Sequence, residues 1–376
     1  MKLLCIAAAM GLAVSSGHPA GLAIAVWMPT VCLSGKTRTA ALKIAATYFT
    51  AALWPMVPGL VRYLGISYPL ASVLWLLTAL LLSAPWTLRW SALVLSTIPP
   101  LGLVGLASPL AGVGYWLPGT GWPGLIAVIV AQAVFISSPH RRLAVAIALC
   151  SVSAISYLAW KEPMKPIGWR AVNTEFGNAS SPVSRVLAVR SMQTQIRSSS
   201  DRVLIFPESV APNWSEAEWS IRRGQVVVIG ATVSKDAGSK TSDFEAALGV
   251  LQGTANPTKP QAAASYDNVL QIRGAQTATF FQRIPVPVGM WRPLTNSGVP
   301  LHPFAPGVIT IDHQRAAILI CYEQMLAWPI LTSMLAQPTV IIGVSNTFWF
   351  AGSSITRYQA SAVRSWAQLF GLPYLI

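Results

Sequence analysis

The first 160 residues contain no aspartate and no glutamate. No other feature limits the fold as strongly. A soluble domain of that length carries charges of both signs on its surface, whereas this stretch has only eight Lys or Arg among long apolar runs. The runs are Leu3–Val14, Gly21–Leu33, Ile44–Val61, Pro69–Pro85, Ser91–Leu106, Trp122–Ser138 and Leu143–Trp160. Several approach the ~20 residues that cross a bilayer. The pattern predicts an N-terminal multi-helix transmembrane domain over 1–160, with about seven segments if every run inserts. The first run follows Lys2 and precedes Ser-Ser-Gly, so it reads either as a cleaved signal or as a short first helix. Trp54, Trp86, Trp90, Trp116 and Trp122 fall mostly near segment ends, as an aromatic belt requires.

Loop charges set the orientation. Lys36, Arg38 and Lys43 share one loop, Arg89 lies in a second, and Arg141 with Arg142 in a third. These alternate with loops carrying only His18, only Arg62, or no charge. The positive-inside rule places the first set in the cytoplasm. The chain then leaves Trp160 on the outer side, which in a bacterial inner membrane is the periplasm. All 12 acidic residues and 18 of the basic ones lie in 161–376, so a second domain is expected there. The net charge of +14 would suit nucleic acid, but the cations form no stripe and no nucleic-acid motif occurs. Direct nucleic-acid binding is not expected.

In 161–376, strands are expected at Arg202–Phe206, Gln225–Ala231, Asn268–Arg273, Thr277–Phe281, Val308–Ile311, Ala316–Ile320 and Thr339–Ser345. Helices are expected at Ser215–Arg223 and Ile355–Leu369. Short strands alternating with helices describe a layered α/β domain. Cys321 stands where the last residue of an apolar run meets helix-favouring residues. A thiol at such a join lies near a helix dipole's positive end and favours thiolate; a small buried hydrophobe fits the same position. Cys5, Cys32 and Cys150 lie in the membrane runs, which leaves Cys321 without a disulfide partner in its own domain. Glu208 follows an apolar strand and is the best general base. His313 sits beside Asp312 in a turn and reads as surface. No Cys or His cluster has metal-ligand spacing, so neither a metal nor a cofactor is expected.

Phe206-Pro207-Glu208, then Phe281-Gln282-Arg283-Ile284-Pro285-Val286-Pro287, then Ile320-Cys321-Tyr322-Glu323, then Ser345-Asn346 before Trp349-Phe350 resembles the nitrilase (carbon-nitrogen hydrolase) superfamily. With membrane segments in front, the chain resembles the apolipoprotein N-acyltransferase branch, and its Phe281–Trp291 segment resembles the conjugal transfer protein TraB group. The resemblance implies an α-β-β-α sandwich over 161–376 and a Glu-Lys-Cys triad. Glu208 matches the base and Cys321 the nucleophile. The lysine's place falls on Gln282 or Arg283; Arg283 is preferred because it keeps a positive charge for an oxyanion, although it cannot release a proton. Glu323 matches the acid of the Cys-Tyr-Glu motif, Met290 stands where the acyltransferases carry another acid, and Lys259 has no assignable place. Tyr322, Trp291, Trp349 and Phe350 would lie around the site. The acyltransferases run on past the point matching Pro373–Ile376, with more of the domain and a last membrane helix. The implied function is thiol-dependent acyl transfer or amide hydrolysis serving plasmid transfer, with a membrane lipid or acylated protein as substrate and conjugation machinery as partner. The alternative is a catalytically inactive membrane scaffold.

Overall fold

The computed structural model describes residues 1–174, 182–208, 220–234, 265–294, 297–346 and 352–376, with the backbone alone for 182–186 and 234. The chain forms two compact units. Unit 1 comprises Met1–Met164, Glu323–Ile341 and Trp349–Tyr374; unit 2 comprises Lys165–Tyr322, Ile342–Phe348 and Leu375–Ile376. One break therefore lies a few residues beyond the change in composition, but unit 1 also takes in two later segments.

The N-terminal part of unit 1 is helical: α1 Lys2–Ser15, α2 Pro19–Ala25, α3 Met28–Leu33, α4 Arg38–Leu53, α5 Met56–Leu64, α6 Tyr68–Ser83, α7 Ser91–Leu95, α8 Gly121–Ser137 and α9 Arg142–Ala159. Caps explain several boundaries. The Thr37 side chain accepts from Ala40 N at 3.1 Å, and α5 ends on Gly65 at φ 66°. Two described helical stretches, Tyr68–Leu88 and Pro139–Ala159, are long and apolar enough to cross a membrane. A third arises if Arg38–Leu53 and Met56–Leu64, bent by 55°, form one span. That is fewer than the seven apolar runs. The other runs form shorter helices: α1 has 14 residues, about 21 Å at the helical rise, against a hydrocarbon core of about 30 Å.

Helices α11 (Ala327–Leu335) and α12 (Ser354–Phe370) belong to unit 1 as well. Ser353 caps α12 by accepting from Ile355 N, and Gly371 ends it at φ 68°. Its buried residues include the small Ser361, Ala362 and Ser365 beside the larger Tyr358, Trp366 and Leu369, and at the small ones backbones approach closely. Ser361 Oγ donates to Gly17 O at 2.7 Å, Tyr115 Oη donates to Ser361 O at 2.7 Å, and Gly114 N donates to Ser365 Oγ at 3.2 Å.

The strands lie mostly in unit 2, with Val340, Ile341 and Tyr374 falling in unit 1. The strands are β1 Trp169–Ala171, β2 Val203–Ile205, β3 Val226–Ser234, β4 Tyr266–Gly274, β5 Ala278–Phe281, β6 Val308–Ile311, β7 Gln314–Ile320, β8 Val340–Val344 and β9 Tyr374–Leu375. They form a five-stranded sheet in the order β1-β2-β3-β4-β5 and a four-stranded sheet in the order β6-β7-β8-β9. β1, β2 and β3 pair in parallel; β4 and β5 continue antiparallel, with Val228 opposite Ile272 and Leu270 opposite Phe280. The helix α10 (Pro182–Ser198) lies on this sheet: Met192 and Ile196, one turn apart, pack with Leu204, Phe206, Val227 and Ile229. Residues 161–200 read from sequence as an entry strand and a surface segment, and this helix went unrecognised. The expected helix Ser215–Arg223 lies largely outside the described residues. Polar bridges join the two sheets, among them Gln276 Nε2 to Thr310 O at 2.6 Å and an Arg202–Asp312 ion pair.

β6 and β7 are joined by the two-residue turn Asp312-His313, at φ 44° and 67°, and His313 is exposed as expected of a surface turn. Two positive φ values in a two-residue hairpin favour glycine at the second place. His313→Gly is expected to stabilise unit 2 by about 1 kcal/mol, seen as a higher urea midpoint with unchanged slope. A lower midpoint would mean that the imidazole contributes more than the strain it sits under.

Candidate active site

Strand β7 is buried from Ala316 to Ile320 and ends abruptly at Cys321. Cys321 has φ 47°, a left-handed conformation that a non-glycine residue adopts at a cost of about 1–3 kcal/mol. The turn brings the thiol out of the apolar strand to partial exposure. Strand-to-helix elbows of this kind present nucleophiles at the ends of sheets. The residues after the thiol form a short 3-10 turn, Cys321–Met325, and α11 begins only at Ala327. The macrodipole of one turn is small, so the strained turn is the stronger argument for an activated thiol.

Glu208 lies beyond β2. Phe206 N donates to Val228 O and Gly230 N to Pro207 O, so backbone pairing with β3 runs on to the residue before it. Its carboxylate is 5% exposed, and Asn268 and Gln282 beside it are each 1% exposed. Asn268 Nδ2 donates to Glu208 Oε1 and, at 2.9 Å, to Gln282 Oε1. Gln282 Nε2 then donates to the carbonyl oxygen of Ile320 at 3.4 Å. A chain of side-chain hydrogen bonds thus runs from Glu208 to the peptide group immediately before Cys321. Buried amides and carboxylates need such partners, because each unpaired polar group costs roughly 1–3 kcal/mol.

Arg283 is buried too, with Nη2 donating to Ile318 O at 3.1 Å. Of the two neighbours that sequence proposes for the cationic position, Gln282 joins the Glu208 network and Arg283 reaches the β7 backbone two residues earlier. Both side chains reach the same edge of β7, two residues apart, and Gln282 also meets Asn268. Asn268 was not among the residues proposed from sequence, and Gln282 was the neighbour set aside for Arg283. The available signal was a polar amide on β4 facing another just past the end of β5.

Tyr266, at the start of β4, has its phenol pKa raised by burial; the nearby Arg292 guanidinium opposes the shift and the Glu208 carboxylate adds to it. Burial also pushes the Tyr322 phenol upward. Both phenols stay protonated at neutral pH and can donate a hydrogen bond. Trp291 sits between bridges to Pro287 and Gly298, while Met290 is buried. Glu323 is fully buried and belongs to unit 1. Trp349, Phe350 and Lys259 lie outside the described residues. Among the described residues no group of three or more His, Cys, Asp or Glu could hold a metal ion.

The chain is similar to two curated conjugation proteins. It is 29% identical to conjugal transfer protein TraB of Agrobacterium fabrum, over 99% of this chain and 90% of that protein. It is 29% identical to the probable conjugal transfer protein TraB of Sinorhizobium fredii, over 96% of this chain and 93% of the relative. No family model matches the chain. The TraB likeness spans nearly the whole chain, and so both units.

Proposed function

We propose that this chain is a membrane-anchored, multi-pass component of a plasmid conjugation system, and that its C-terminal region is a nitrilase-like domain performing thiol-dependent acyl transfer or amide hydrolysis. The TraB names of its relatives support the first part. The two or three helices apolar enough to cross a membrane support the anchor. The alternation of basic and uncharged loops supports a bacterial inner membrane with the C-terminal domain in the periplasm. One observation carries the chemistry: Cys321 is held at φ 47° at the end of a buried strand, and the preceding peptide is wired through two amides to Glu208.

In the proposed reaction Glu208 takes the thiol proton and the sulfur attacks an acyl carbon. The S–C bond forms as the carbonyl π pair moves onto oxygen. Collapse of the oxyanion expels an amine or alcohol, which leaves with the proton held by Glu208, and a thioester remains. Water or an amine then takes the acyl group and restores the thiol. An acyl chain on a lipid or protein is the substrate class that suits a membrane-anchored enzyme.

A second reading, a scaffold without chemistry, is favoured by Gln282: an uncharged amide occupies the link where the resemblance has a lysine. Cys321→Ala in donor cells separates the two. The enzyme reading expects plasmid transfer to fall by about 100-fold or more at equal protein level, as loss of a nucleophile does. Normal transfer by Cys321→Ala, with transfer abolished by deleting the whole chain, leaves the scaffold; normal transfer after deletion removes both readings.

A further inference from the structure

Gln282 has one amide hydrogen more than its partners use. Its Oε1 accepts from Asn268, and its Nε2, with two hydrogens, donates only to Ile320 O among the described residues. The side chain is 1% exposed, so water does not readily take the second hydrogen. Asn268 settles which way the amide faces: because Nδ2 must donate to Gln282, the oxygen points to Asn268 and the nitrogen points to β7. With Nε2 3.4 Å from Ile320 O, covalent geometry puts it within about 6 Å of the Cys321 peptide nitrogen.

We propose that this second N–H of Gln282 is an oxyanion donor of the site, oriented by Asn268, so that a neutral amide does part of the work that a lysine does in the resembling enzymes. The assignment rests on the acyl-transfer reading above. It makes Gln282 a catalytic residue and Asn268 a positioning residue. A neutral donor stabilises negative charge only as it develops on the acyl oxygen. It leaves the thiol's own ionisation nearly untouched, which a cation in the same place would not.

The two roles separate when Cys321 is offered two different electrophiles. p-Nitrophenyl butyrate acylates a thiol through a tetrahedral oxyanion: the S–C bond forms, the C–O bond breaks, p-nitrophenolate leaves and the thiol proton passes to Glu208. Iodoacetamide alkylates the same sulfur by displacement of iodide, with no oxyanion. The full chain in detergent is used, as wild type, Gln282→Met and Gln282→Ala, with Cys321→Ala as the blank. Both Gln282 variants are expected to lose about 100-fold in the Cys321-dependent nitrophenolate burst. Their alkylation rate, and its pH profile, should stay within about two-fold of wild type. Equal losses in both reactions would reduce Gln282 to a packing role and overturn the proposal. So would an undiminished burst in the two variants, while leaving the acyl chemistry standing. A wild-type burst no larger than the Cys321→Ala blank would overturn the acyl-transfer reading itself, and the oxyanion role with it.

Discussion

Gly114→Val is expected to unseat helix α12 and to destabilise unit 1 by about 3–5 kcal/mol, the range in which single substitutions become exceptional. A Cβ at residue 114 would overlap the carbonyl oxygen and carbon of Ser365 and crowd Leu369 N. All of those are backbone atoms of α12, so no rotamer change relieves the clash; the helix itself must move. Moving it also breaks the bonds from Gly114 N to Ser365 Oγ and from Tyr115 Oη to Ser361 O. The steric term dominates the hydrogen bond. Ser365→Ala, which removes only the acceptor for Gly114 N, should cost about 1 kcal/mol. The measurement is thermal unfolding in detergent beside limited proteolysis of α12. Equal stability of Gly114→Val and wild type would show that α12 does not pack against residue 114.

That helix also shows where sequence reading stops. A helix over Ile355–Leu369 was expected, and the structure has Ser354–Phe370. Its membership of unit 1 was not expected, and the Ser361, Ala362 and Ser365 part of its buried face carries little hydropathy signal. Periodicity reports that a face is covered, not which part of the chain covers it. The same limit applied to the N-terminal region, where composition marked apolar runs but not which of them became long helices. The sheets were more legible: β2, β3, β7 and β8 are short continuous apolar runs, the pattern of strands buried on both sides. In the site, the order of the Glu208 and Cys321 motifs located the two ends of the hydrogen-bonded chain. Its middle was invisible, because counting back from Pro287 ends on two adjacent residues and does not say which of them meets Asn268. Charge preference picks Arg283; pairing of β4 with β5 gives Gln282 the link.

The middle of that chain supplies the other large effect. Asn268→Asp should make the stability of unit 2 fall more steeply with rising pH than that of wild type. Asn268 is the donor to both Glu208 and Gln282. An aspartate there presents acceptors only, facing a buried carboxylate and a carbonyl oxygen. Two carboxylates in contact cannot both ionise cheaply, so the pair retains one proton and one of its carboxyls titrates above the usual carboxylate range. The folded variant then binds more protons than the unfolded chain through the range above about pH 4, and its stability falls as pH rises. The expected loss relative to wild type is on the order of 3–4 kcal/mol at about pH 8, the cost of a broken buried network, shrinking toward about pH 5 as the shared proton replaces the lost donor. Asn268→Leu removes the donor without adding a second carboxylate; Glu208 loses one bond to its charged form, so this variant is destabilised as well, with a shallower fall from about pH 5 to about pH 8 than Asn268→Asp. Urea unfolding of the three proteins at each pH reads the difference. Parallel behaviour of the aspartate and leucine variants would show that residue 268 does not meet the Glu208 carboxylate, and the line from Glu208 to the Cys321 peptide would be broken at its first step.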